Sequence, residues 1–233
     1  MSLANAVVLI TGANRGIGLA FAREALARGA RVYAAARDPA TVQLPGVQPI
    51  RLDVTKPDDV LRAARECGDV THLINNAGVA SPGGFLQDTG LEAMRSQLET
   101  NFFGPMRMAQ AFAPVLARNG GGAILNVLSI ASWINRPLLG TYGATKSAAW
   151  ALTNGLRHEL RAQGTLVSAL HMGFVDTDLT RGIDMPKSAP DDIVRHALDA
   201  LEAGTEEILA DEATRQVKQS LSSPTPAYLA ALQ

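Results

Sequence analysis

Tyr142 and Lys146, in the run Tyr-Gly-Ala-Thr-Lys, form the pair in this sequence best suited to moving a proton. A phenol ionises near pH 10, so it is a poor acid-base group at neutral pH unless nearby positive charge stabilises the phenolate. Residues four apart on a helix share one face, so Lys146 can supply that charge. Ser129 closes an apolar run thirteen residues earlier. Its hydroxyl could orient a substrate oxygen, although a serine there could equally satisfy a loop.

A second constellation is Thr11-Gly12-Ala13-Asn14-Arg15-Gly16-Ile17-Gly18. Its glycines permit backbone angles and a close approach that a Cβ would block, and a helix start beyond them offers unpaired N–H groups and partial positive charge to a pyrophosphate. Thr11, Gly12, Asn14, Arg15, Gly16, Ile17 and Gly18 are therefore candidate dinucleotide-binding residues, although such glycines can also serve a turn alone. The end of the second strand decides which dinucleotide: a carboxylate accepts from the ribose 2′-OH of NAD, whereas a cation holds the 2′-phosphate of NADP. The sequence there is Ala36-Arg37-Asp38. Arg37 and Arg15 could clamp the phosphate with planar guanidinium forks, which favours NADP(H); Asp38 could still take a ribose hydroxyl, which leaves NAD(H) open.

Positioning these residues takes alternating strands and helices. Apolar, β-branched runs predict strands at Ala6–Ile10, Arg31–Ala35, Val47–Leu52, Val70–Ile74, Ala123–Leu128, Thr165–His171 and Glu207–Ala210. Helical periods fall at Gly16–Arg28, Pro57–Glu66 and Thr141–Ala162, while Pro39, Pro45 and Gly46 abbreviate the crossover between Arg37 and Val47. The alternation predicts an α/β domain with a doubly wound, Rossmann-like parallel sheet of about seven strands. Its 233 residues, 47% apolar and 18% charged, fit a single domain, with 212–233 as a loosely held C-terminal tail.

Twenty-one Lys+Arg against 22 Asp+Glu leave no net positive field for nucleic acid or an anionic membrane. Cys67, the single cysteine, cannot form an internal disulfide, and the N-terminus shows no signal-peptide pattern or membrane-length apolar run, so a cytoplasmic, soluble protein is expected.

These motifs, in this order, resemble the short-chain dehydrogenase/reductase family in its smaller-sized branch, over about residues 6 to 210. Thr11 to Gly18 matches the family's TGxxxGxG turn, Asp53-Val54 its adenine-contacting pair, and Asn75-Asn76-Ala77-Gly78 its NNAG segment. Asn101, Ser129, Tyr142 and Lys146 fall on its catalytic tetrad. The resemblance implies reversible hydride transfer between a nicotinamide and a small-molecule carbonyl or secondary alcohol. Tyr142 would be the proton donor, Ser129 would hold the same oxygen, and Lys146 would lower the phenol's pKa and bind the nicotinamide ribose. Asn101 would complete a proton path through its backbone and a water. Asp53, Val54, Asn75, Ala77, Gly78, Val175 and Thr177 join the cofactor set on the same ground. A dinucleotide sensor without turnover is the competing reading, and a lyase or epimerase on this fold a more distant one.

The sequence departs from the family at His171-Met172-Gly173, where Pro-Gly is usual; the missing proline removes a rigid φ beside the nicotinamide. No serine-nucleophile or metal-ligand pattern accompanies His171, so it reads as structural or pocket-lining, and no metal is expected. Trp133, Ile134, Leu138, Leu139, Met172, Phe174 and Met185 lie where the family places apolar substrate walls, and Asp178 to Pro190 where it places a mobile lid. Two long helices, about 101–118 and 141–162, correspond to those that pair related chains, and Met108, Phe112, Val115 and Leu116 offer surplus apolar surface for a homodimer. A tetramer is less expected, because the Asp-Gly-Gly strand of the family's tetramers is replaced by Asp211-Glu212.

Overall fold

The computed structural model describes residues 2–230; residues 1 and 231–233, included in the expected domain, lie outside that range. Seven strands form one wholly parallel sheet: β1 (Val7–Thr11), β2 (Arg31–Ala36), β3 (Gln48–Arg51), β4 (His72–Asn75), β5 (Ala123–Val127), β6 (Leu166–His171) and β7 (Glu207–Leu209). Their spatial order is β3-β2-β1-β4-β5-β6-β7. Every residue of β1 is buried, because helices cover both faces of a parallel sheet. Alternation splits its side chains: Val8 and Ile10 join the core beneath helices α1 (Gly16–Ala27) and α6 (Pro190–Glu202), whereas Val7 and Leu9 join the core on the opposite face.

The second face carries α2 (Pro57–Glu66), α4 (Gly104–Arg118) and α5 (Gly140–Glu159), and α3 (Gly90–Leu98) leads into α4. Helix α2 starts where Pro57, Asp58 and Asp59 suit a helix N-terminus. Only a 3-10 turn, Pro39–Thr41, occupies the shortened crossover between β2 and β3. Arg28 bonds Glu24, Asp199 and Glu202 at 2.7–2.9 Å and thereby ties α1 to α6. Among the described residues no helix is long and apolar enough to cross a membrane.

Two expectations need correction. Met108, Phe112, Val115 and Leu116 are buried inside their own chain against the sheet, so they are not surplus surface for a second copy. The segment after β7 is not loose from residue 212: it forms α7 (Glu212–Ser220) with Thr214 fully buried. Asp211 anchors it, one carboxylate oxygen accepting from Thr214 N at 2.8 Å and the other from Gly173 N at 2.7 Å.

The sheet also buries two histidines, His72 in β4 and His171 in β6, and burial pushes both imidazoles down to about 4. Histidine in an unfolded chain titrates near 6.5, so below that pH the unfolded state takes up protons that the folded state refuses. Stability should therefore fall as pH drops from about 6.5 towards 4, before the depressed Glu202 and Asp69 carboxylates protonate and add to the loss. Thermal unfolding across this range checks it; a constant Tm between about pH 6.5 and 5 would contradict it.

Candidate active site

The site lies at the carboxyl ends of β1, β4 and β5, where the strand order reverses direction and neighbouring crossovers leave on opposite faces. Thr11, the last residue of β1, is buried, and its hydroxyl accepts from Asn76 N and Ala77 N, both at 3.0 Å. Asn76 Nδ2 returns donors to Thr11 O at 2.8 Å and Gly12 O at 3.2 Å, which binds the turn after β4 to the glycine turn. Gly12 and Gly16 have φ of 67° and 54°, and a Cβ on Gly18 would stand 2.1 Å from Gly12 O. Helix α1 starts at Gly16 with no side-chain cap and no acid in its first turn, so its N–H groups and positive dipole end suit a pyrophosphate. Asn14 is half-buried in the turn, Ile17 packs on the core, and Thr177 Cγ2 would lie 3.5 Å from a Cβ on Gly16.

At the end of β2, Arg37 is exposed. Asp38 accepts from Ala40 N at 3.0 Å, capping the 3-10 turn. Arg15 is exposed and pairs with Asp178 at 3.3 Å. Asp53 accepts from Thr55 N and Thr55 Oγ1 at 2.9 and 2.8 Å, while Val54 is buried against Gly104.

Asn75 does not turn towards the glycine turn. It is buried, donating to Asn126 Oδ1 at 2.8 Å in a ladder that continues through Thr153 to Ala149 O. The hydrogen bonds to the glycine turn come from its neighbour Asn76. The paired asparagines were the signal, and the reversal of side-chain direction at the strand end decided which one serves.

The residues expected to move a proton converge from three elements. Asn101 sits in a π-helical turn, Glu99–Phe103, between α3 and α4; such wide turns are frequent at functional sites. Its side chain accepts from Val79 N at 2.9 Å and donates to Val79 O and Thr145 Oγ1 at 2.8 and 3.0 Å, joining the segment after β4 to α5. Ser129, just past β5, accepts on Oγ from Ala131 N at 3.1 Å. Lys146 is buried, its ammonium 5.7 Å from the centre of the Tyr142 ring and donating to Val127 O at 2.9 Å. A Cβ on Gly78 would lie 3.5 Å from Asn101 Oδ1 and 3.8 Å from Lys146 Nζ, so the open side of this glycine faces both. Burial pushes the Tyr142 phenol up to about 12, with the Ser129 side chain opposing the rise, and pushes Lys146 down to about 8.

Two expected substrate walls face elsewhere. Met172 is buried in the core beneath α1 and α6, and Trp133 stacks on His171 at 3.9 Å. Leu138 and Met185 remain more than half exposed. The expected lid begins with a 3-10 turn, Asp178–Thr180, and stops one residue short of its expected end, because Pro190 opens α6. Val175 is buried at its base, its carbonyl accepting from Thr180 Oγ1 at 2.5 Å.

A glycine cradle at one end and an amine beside a phenol at the other fit a nicotinamide dinucleotide laid across these strand ends. The comparisons agree. A family model for short chain dehydrogenase matches residues 6–187. The chain is 33% identical over 195 residues to dehydrogenase/reductase SDR family member 7B of Bos taurus, covering 76% of this chain and 60% of that protein's length. It is also similar to a short chain dehydrogenase from Burkholderia cenocepacia solved in complex with NADP, at 36% identity, TM-score 0.92 and coverage of 96% of this chain and 95% of that one. A 3-ketoacyl-(acyl-carrier-protein) reductase from Brucella melitensis solved with NADH is similar at 27% identity and TM-score 0.82, covering 88% and 96% of the two chains. This chain belongs to the short-chain dehydrogenase/reductase family.

Proposed function

We propose that the protein is an NADP(H)-dependent oxidoreductase that moves a hydride between the nicotinamide and a small-molecule ketone or aldehyde, or the corresponding alcohol. The observation that supports this most is the buried Lys146 ammonium 5.7 Å from the centre of the Tyr142 ring, with the Ser129 side chain opposing the rise of the same phenol's pKa. A protein that only sensed a dinucleotide would need the glycine turn but no proton donor.

The cofactor, when bound, supplies the hydride. The pyrophosphate would rest on the N–H groups at the start of α1, with Thr11, Gly12, Asn14, Gly16, Ile17 and Gly18 around it, and the adenosine end beside Asp53 and Val54. Ala77, Gly78, Val175 and Thr177 would line the nicotinamide end. In reduction, Tyr142 gives its proton to the carbonyl oxygen while Ser129 donates a hydrogen bond to that oxygen. Lys146, when protonated, would favour the phenolate and would offer its remaining N–H donors to the ribose. Asn101 holds the π-helical turn whose backbone faces the proton path.

Preference for NADP(H) over NAD(H) rests on the second strand's end: Arg37 is exposed there, and the Asp38 carboxylate is engaged by Ala40 N. We place the enzyme in the cytoplasm as a single-domain chain, working without nucleic acid or membrane. Two copies would pair through α4 and α5, as the family resemblance implies.

Cofactor fluorescence titrations with NADPH and NADH, followed by a ketone and aldehyde panel at the absorbance of the reduced cofactor, test the reading. Tyr142→Phe should lower kcat by about 100- to 10,000-fold with NADPH affinity within about twofold; unchanged turnover would remove the phenol from the mechanism. Arg37→Asp should weaken NADPH by about tenfold or more and leave NADH nearly unchanged, since it removes a charge-assisted contact to the 2′-phosphate. Equal weakening of both would discard that contact. Binding without turnover across the panel would favour the sensor.

A further inference from the structure

Behind Ser129 lies a cluster that the proton transfer does not use. His171, the last residue of β6, is fully buried. Its Nδ1 is 3.2 Å from Ser129 O, which also accepts from Ser132 N at 3.0 Å. A carbonyl only accepts, so Nδ1 carries the hydrogen and the neutral ring is the Nδ1–H tautomer. The face of the same ring stacks on Trp133 at 3.9 Å with 20° between the planes. Ser129 and Trp133 flank the 3-10 turn Ile130–Ser132. One imidazole therefore holds that turn at both ends, by a hydrogen bond at the first residue and by stacking at the last.

The other ring nitrogen, Nε2, lies 3.8 Å from Glu207 Oε1 on β7. A bare carboxylate there would draw a proton onto the ring and turn it into an imidazolium. Lys218 of α7 opposes this: its ammonium bonds Glu207 Oε2 at 2.6 Å and stands 4.8 Å from the Trp133 ring and 5.7 Å from the Trp150 ring. Trp150 on α5 meets Trp133 edge-on at 6.2 Å. Arg157 on α5, which donates to Val167 O and Glu206 O, adds a second positive charge on this side. The groups facing His171 are thus Glu207 from β7, Lys218 from α7, Arg157 from α5, and Ser129 and Trp133 from the turn.

We propose that His171 is a positioning residue for Ser129: as the neutral Nδ1–H tautomer it clamps residues 129–133, with burial first and Lys218 second favouring that form, which makes helix α7 part of the support of the active site. The inference rests on the hydride-transfer reading, since Ser129 matters as the group that meets the substrate oxygen. It also gives the departure at His171-Met172 a purpose: with no proline to stiffen the segment after β6, the ring at its start braces the neighbouring turn.

The test compares His171→Leu, His171→Asn, Ser129→Ala and the His171→Leu/Ser129→Ala pair in carbonyl reduction, with thermal unfolding and NADPH affinity measured on each. His171→Leu should lower kcat about tenfold, the effect expected from losing roughly one hydrogen bond's worth of placement, with NADPH affinity within about twofold. His171→Asn, whose amide can donate to Ser129 O, should restore most of the rate. In the Ser129→Ala background, His171→Leu should cost less than about twofold. An equal loss in both backgrounds, or Asn no better than Leu, would overturn the inference.

Because His171→Leu could loosen the core, NMR of isotope-labelled histidine in the unsubstituted protein and in Lys218→Met reads the ring directly. A neutral Nδ1–H tautomer at about pH 7, with protonation moving to higher pH in Lys218→Met, is the expected result. An Nε2–H tautomer or an imidazolium at that pH would end this inference alone. No turnover by the unsubstituted protein would end the reductase reading, and with it the catalytic meaning of the clamp.

Discussion

The hydroxyl of Thr11 accepting from Asn76 N and Ala77 N is the interaction on which the rest of the site depends. At the point where strand order reverses, nothing in the ladder itself holds the segments beyond β1 and β4 together, because their crossovers leave on opposite faces. The hydroxyl, reinforced by Asn76 Nδ2 on the carbonyls of Thr11 and Gly12, closes that gap. Everything the cofactor would touch is then placed relative to it: the start of α1 on one side, Ala77 and Gly78 on the other. Gly18 belongs to the same constraint, since any Cβ would push α1 off the turn.

The reacting end is built on a different principle, buried charge with few exits. Lys146 reaches Tyr142 from one turn along α5, and burial pushes the two groups' ionisations in opposite directions, phenol up and amine down. Both shifts disfavour charge, so the pair alone is held towards its neutral forms, and a nearby positive charge or hydrogen bond has leverage there. Ser129 acts in that sense on the phenol, opposing the rise that burial causes. Its position depends in turn on a turn braced by His171 and Trp133, and through Lys218 on the C-terminal helix. Support for one hydroxyl therefore extends across β5, β6, β7 and α7.

The pattern of apolar runs was sufficient to find all seven strands, each within two residues at either end. What local pattern does not carry is direction. Asn75 and Asn76 are chemically identical, and their places, one at the end of β4 and the other just beyond it, send the first into the sheet and the second over the glycine turn. Met108, Phe112, Val115 and Leu116 have the spacing of an exposed apolar stripe and of a core-facing one alike, and packing against the sheet consumes them. Residues 212–220 are polar in composition yet form a docked helix, because Asp211 caps its start and Lys218 finds Glu207 and two indoles.

Residue types and spacing alone determined the alternation of strands and helices, the glycine turn, and the tyrosine-lysine pair, because each is written within a few neighbouring positions and follows from helical and strand periods. Only the tertiary structure decided which asparagine bridges the strand ends, that Met172 faces the core, and that His171 serves Ser129. Those outcomes depend on residues far apart in the chain, such as Ser129, His171 and Lys218, and no local period encodes which of them will meet.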